Sequence, residues 1–316
     1  MQWNANGGYC GEVSLIVAGM ARGQYTSQWT ARALASSHAD QRRYDSQALL
    51  GTEPPVGSVL TAASGMRMTT QAIDTTTQGT PWFLGWVKQH FLAGDTVIIG
   101  VFNNVNTLEE GGAGDAEYDH IVPVTHIGST HPLAGADASR YYADDTITIS
   151  DNGLYTPQDG VPGNTPDNPA GSTLYTSTFR AFQRSREQAN RGSGAVGLYS
   201  LRNRPSNYAV AVTGLVDRSA GGPYLLPVQL TASSNSEGTQ DQDQMAVAPA
   251  ARPIRLTATV TLPDASRAYR LYRYDDFANV PTRDFNAAAG DAAQSWDIPA
   301  GSGRTFRASV DAVSYT

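Results

Sequence analysis

Val13, Ile16, Val17 and Met20 recur at helical spacing behind a pair of glycines, Gly7 and Gly8. Glycines of this kind form turns, so the pattern predicts a tight turn that delivers Cys10 to the first turn of a buried helix. A second helix is predicted over 27–35 with Trp29 and Leu34 inward. A third is predicted over 81–92, where Pro81 suits the first helical position and Trp82, Phe83, Trp86 and Phe91 read as core packing. The period then changes to two: β-branched runs predict strands over 96–102, 120–127 and 146–150. The Gly-rich, acidic stretch 103–119 and the Gly, Pro, Asn and Asp-rich stretch 151–172 read as loops. Segment 176–191 reads as a helix, with Phe179, Ala181 and Phe182 at helical spacing.

From about residue 206 the pattern is all-β. Strands are predicted over 208–212, 224–230, 254–262, 268–274 and 305–315, with polar loops between them. The expected fold class is α+β, with N-terminal helices packed on an antiparallel sheet over 1–204. An all-β, sandwich-like accessory domain over 205–316 is expected to follow.

Composition narrows the function classes. The chain has 316 residues, 40% of them apolar, which is enough to bury a sizeable core. Its net charge of -7 argues against nucleic-acid binding, which needs a basic face to displace counterions. No stretch approaches the roughly 18–20 apolar residues of a membrane helix. One cysteine excludes an internal disulfide and a Cys-rich zinc site. The run Asp241-Gln242-Asp243 lacks the Gly and Glu spacing of a calcium loop, so no metal and no cofactor is expected.

The lone cysteine is where chemistry concentrates. A helix N-terminus stabilises a thiolate through its dipole and its unpaired N–H groups, and Gly11 leaves room for a substrate beside Cys10. The base is expected to be His120, which opens an apolar strand after a loop. His126 and His131 are alternatives, and His126 shares the strand face of His120 under a two-residue period. His38 and His90 lie in helical regions and read as peripheral. Asp151 and Asn152 close the strand over 146–150, where a side chain can accept the second ring N–H of His120 and fix its tautomer.

In order, the chain reads Gln2, Cys10-Gly11 opening a helix, His120 opening a strand, and Asp151 closing the next. Over about residues 1–155 this resembles the papain-like cysteine peptidase superfamily. It is closer to the bacteriocin-leader-processing peptidases than to plant papain. The resemblance implies Cys10 as nucleophile, His120 as general base, and Asp151 as the orienting acid with Asn152 as the papain-style alternative. It also implies Gln2 as an oxyanion donor beside the backbone N–H of Cys10. Gln2 stands farther from the cysteine than is usual in those relatives, and Asn4 stands at the usual distance with a shorter amide.

The expected reaction is cleavage of a peptide or protein amide through a Cys10 thioester. Gly8 and Gly11 border the nucleophile. If the loop carrying Glu109, Glu110, Asp115, Glu117 and Asp119 borders the cleft, it favours basic substrates. An amine in place of water would give acyl transfer. A third reading is an inactive scaffold whose β half binds a glycan or a protein. The expected origin is an exported protein whose leader the initiator Met1 replaces.

Overall fold

The computed structural model describes residues 8–36, 46–51, 58–74, 78–103, 118, 120–151, 174–183, 199–201 and 207–215. Beyond these it describes the strands 225–226, 228–232, 254–260, 269–275, 283–287, 293–298 and 306–312. The fold is α+β, with antiparallel sheets and helices packed as two units. One unit takes Met1–Ala48, Thr61–Thr69 and Gly214–Thr316; the other takes Leu49–Leu60 and Thr70–Thr213.

In the first unit the predicted turn and helix are present. Gly8 has φ +89, a left-handed conformation that favours glycine, and α1 runs over Cys10–Met20. Cys10, Gly11, Glu12, Val13, Ser14, Leu15, Ile16, Ala18 and Gly19 are all buried, so α1 is enclosed on most sides rather than along one stripe. After β1 (Gln24–Tyr25), α2 (Gln28–Ala35) opens on Ser27, whose hydroxyl accepts from the Thr30 N–H at 3.1 Å. Its buried face is Gln28, Ala31, Arg32 and Ala35. Trp29 and Leu34 are only half-buried, a correction to the expected inward pair. The helix turns small side chains and one paired arginine inward instead.

The C-terminal strands of this unit form two antiparallel sheets. One has the order β1, β15 (Phe306–Ala312), β12 (Tyr269–Asp275) and β13 (Arg283–Ala287), with β9 (Leu225–Leu226) also on β15. The other has the order β10 (Val228–Ala232), β11 (Ile254–Val260) and β14 (Ala293–Ile298). Gln24 pairs with Arg307 and Tyr25 with Phe306, which ties the last strand to the segment just after α1. The C-terminal strands thus belong to the same unit as α1 and α2.

The second unit is built on a sheet in the order β2 (Met68–Asp74), β8 (Tyr208–Leu215), β3 (Thr96–Asn103), β4 (His120–Gly128), β5 (Thr146–Ser150) and β6 (Leu174–Thr178). The short β7 (Tyr199–Ser200) pairs with the end of β3. Helix α4 (Thr80–Leu92) lays Phe83, Leu84 and Val87 into a core with Val97, Ile99 and Val101 of β3 and Val122 and Val124 of β4. Trp82 is 46% exposed, which removes it from the expected core set. At Gly85 a Cβ would lie 2.2 Å from the Ser139 carbonyl oxygen, so α4 sits directly on the short 3-10 helix Gly135–Ser139. The same stretch receives Lys88, whose Nζ donates to Asp145 Oδ2 at 2.7 Å and to the Arg140 carbonyl at 3.3 Å.

Three elements depart from the sequence pattern. The helix expected over 176–191 is a strand, β6, followed by the single helical turn α5 (Phe179–Phe182); residues 184–191 lie outside the described residues. The strand forms because Ile149 and Ser150 of β5 offer a ladder to Tyr175 and Leu174. Thr178 then caps the turn by accepting from the Ala181 N–H at 3.1 Å. Helix α3 (Val59–Gly65) and strand β2 were not expected; both are short and carry mixed polar and apolar residues.

Candidate functional site

Cys10 is the first residue of α1 and 8% exposed. Its carbonyl accepts from the Ser14 hydroxyl at 2.8 Å, one helical turn on. The turn that delivers it is held from α2. Arg32 Nε donates to Glu12 Oε1 at 2.7 Å, and a second guanidinium nitrogen donates to the Gly8 carbonyl. The guanidinium carbon lies 3.6 Å from the centre of the Tyr9 ring, a stacked cation–π contact. Glu12 Oε1 also accepts from the Ala48 N–H at 3.1 Å. At Gly11 an added Cβ would lie 1.8 Å from the Ala48 carbonyl oxygen. The expected room for substrate at Gly11 is thus taken by the backbone of Ala48. What requires glycine there is a close backbone approach.

In the second unit, His120 is the first residue of β4, opposite Val101 of β3, and 1% exposed. Its Nε2 lies 3.0 Å from the backbone carbonyl oxygen of Asp151. A carbonyl only accepts, so this partner assigns the hydrogen to Nε2 and leaves Nδ1 as the basic nitrogen of the neutral ring. Burial pushes the pKa of His120 down from 6.5 to about 4, against the opposing effect of the Asp151 carbonyl. Asp151 is itself buried. The described contact runs through its main chain, whereas the family resemblance implies a side-chain carboxylate.

The competing histidines are elsewhere. His126 is exposed, although it was expected to share the face of His120. The ladder between β4 and β5 shifts register between Val124 and His126, and this bulge reverses the alternation. His131 is at the surface, with Nε2 3.0 Å from Asp144 Oδ1 and its ring stacked 3.8 Å from that of Tyr142. His90 Nδ1 meets Asp95 Oδ2 at 2.7 Å. Among the described histidines, His120 alone is buried. Gln2, Asn4, His38, Asp119, Asn152 and the acidic residues 109–117 lie outside the described residues.

Sequence reasoning missed Glu12, Arg32 and Tyr118. The first two were visible as lone charges within runs of small and apolar residues. Tyr118, two residues before His120, donates its hydroxyl to the Leu50 carbonyl and accepts from the Leu50 N–H, each at 2.7 Å. Its ring covers Gly100 of β3, where a Cβ would come within 2.8 Å of it.

Among the described residues no group of three or more His, Cys, Asp or Glu could hold a metal ion. Nor is any helix among them long and apolar enough to cross a membrane. No protein-family model, curated protein or solved structure matches the chain.

Proposed function

We propose that this chain is a papain-like cysteine hydrolase that cleaves a peptide or protein amide, with Cys10 as nucleophile and His120 as general base. The observation that carries the reading is the state of His120. Its Nε2–H is committed to the Asp151 carbonyl, so the lone pair on Nδ1 is the ring's basic site. Cys10 at the start of α1 supplies the second half, because the unpaired N–H groups and the dipole of a first helical turn favour a thiolate.

In the proposed reaction Nδ1 of His120 takes the Cys10 proton as sulfur attacks the amide carbonyl. The backbone N–H of Cys10 and the side-chain amide of Gln2 or Asn4 hold the oxyanion. Collapse breaks the C–N bond, and His120 returns the proton to the leaving amine. Water then adds to the thioester with His120 again as base, releasing the acid and regenerating the thiol.

The test is to incubate the protein with a panel of peptide and amide substrates and look for acyl-Cys10 by mass spectrometry. An adduct on Cys10, with product formation abolished in Cys10→Ala, is expected. Turnover that survives Cys10→Ala would overturn the reading. Glycinamide added to the same assay separates water from an amine as the acyl acceptor.

A further inference from the structure

We infer that Glu12 and Arg32 are positioning residues for Cys10, holding its turn and setting the ionisation of its thiol through their opposite charges. This rests on the proposal that Cys10 is the reactive thiol.

Both ends of the cysteine turn are held by this pair. Arg32 binds the Gly8 carbonyl and stacks on Tyr9 immediately before Cys10, and it binds Glu12 immediately after Gly11. Neither side chain reaches water: Arg32 and Glu12 are each at most 1% exposed. A salt bridge so placed gives up two hydration shells, and an apolar pair of similar volume is often as stable or more so. Stability is therefore a weak reason for this pair. Its geometry adds to that: Glu12 Oε2 is buried with no hydrogen-bond partner among the described residues. A carboxylate kept half-satisfied two residues from the sulfur places a negative charge whose effect Arg32 offsets.

Among the described residues, other charges packed on α1 are few. Glu12 is the only charged residue of α1, and Arg32 is the only one of α2. β1 contributes Gln24 and the phenol of Tyr25, and β10 carries no ionisable residue. Ser46 and Gln47, next to Ala48, are neutral. Removing one member of the pair therefore unmasks the other's charge at the turn that carries the thiol. An uncompensated Arg32 favours the thiolate; an uncompensated Glu12 opposes it.

The experiment is the pH profile of Cys10 alkylation by iodoacetamide in wild type, Glu12→Gln, Arg32→Met and the double variant, with circular dichroism to confirm folding. Glu12→Gln is expected to lower the midpoint by about one pH unit and Arg32→Met to raise it by about as much, with the double variant returning near wild type. Shifts of the two single variants in the same direction, or no shift in either, would overturn the inference. The comparison is made between variants, so it holds whether the wild-type midpoint is depressed or lies at that of an ordinary thiol. An ordinary wild-type midpoint counts instead against the reading of Cys10 as an activated nucleophile. If Arg32→Met does not fold, Arg32→Lys replaces it: a midpoint within about 0.3 pH unit of wild type, against a lowered one for Glu12→Gln, supports the inference, and a parallel shift overturns it.

Discussion

His120 donates Nε2–H to the main-chain carbonyl of Asp151 across 3.0 Å, with both residues buried. A backbone acceptor fixes the tautomer without adding a negative charge. This contact orients the ring, but nothing in it stabilises an imidazolium as a carboxylate would. The resting state that follows for this ring is a neutral imidazole.

This relationship sets a pH dependence. The folded pKa of His120 is about 4, below its ordinary 6.5, so between these values the unfolded chain binds more protons than the folded one. Stability rises with pH across that window. The contribution is fully present above about 6.5 and is lost as pH falls toward 4, and it amounts to roughly 3 kcal/mol. Chemical denaturation at several pH values is expected to show this slope in wild type and to lose it in His120→Gln. Equal slopes in the two proteins would contradict the burial of a neutral His120.

Gly11→Ala is expected to be strongly destabilising. The new methyl would lie 1.8 Å from the Ala48 carbonyl oxygen, so the backbone must move. Overpacking of this kind costs about 1–3 kcal/mol or more. A thermal melt within 1 °C of wild type would contradict the close approach.

Lys88, the only lysine of the chain, is fully buried against Asp145. An amine-reactive ester is expected to leave Lys88 unmodified in native buffer and to modify it only as the protein unfolds. Asp145 Oδ1 has no partner among the described residues, so the pair is imperfectly satisfied. Lys88→Met alone is expected to cost about 3–5 kcal/mol, and Lys88→Met with Asp145→Leu to recover most of that loss. Urea titration of both variants checks this.

Tyr118→Phe removes the one hydroxyl that serves both the N–H and the carbonyl of Leu50. A loss of roughly 1–3 kcal/mol is expected, read by the same titration, because two buried backbone groups lose their partner.

The elements easiest to read from sequence were those whose local pattern agrees with their surroundings. The β-branched runs became β3 and β5, and the glycine turn became the entry to α1. What was illegible depended on distant partners. Nothing near Gln24 announces its pairing with Arg307, and nothing near Tyr175 announces that Ile149 will draw it into a strand. The bulge at Thr125 reverses the alternation that placed His126 beside His120. In the candidate site, Cys10 and His120 stood out by residue type. The charges around Cys10 did not, because nothing near Arg32 in the sequence announces Glu12 as its partner across 2.7 Å.

The most direct test of the central claim is the pH dependence of Cys10 alkylation in wild type and His120→Ala, followed by mass spectrometry. Labelling that is fast well below pH 8 in wild type and slow in His120→Ala is the predicted result, since a base then assists the thiol. Slow labelling that follows an ordinary thiol near pH 8.5, unchanged by the substitution, would contradict it and make Cys10 a structural residue.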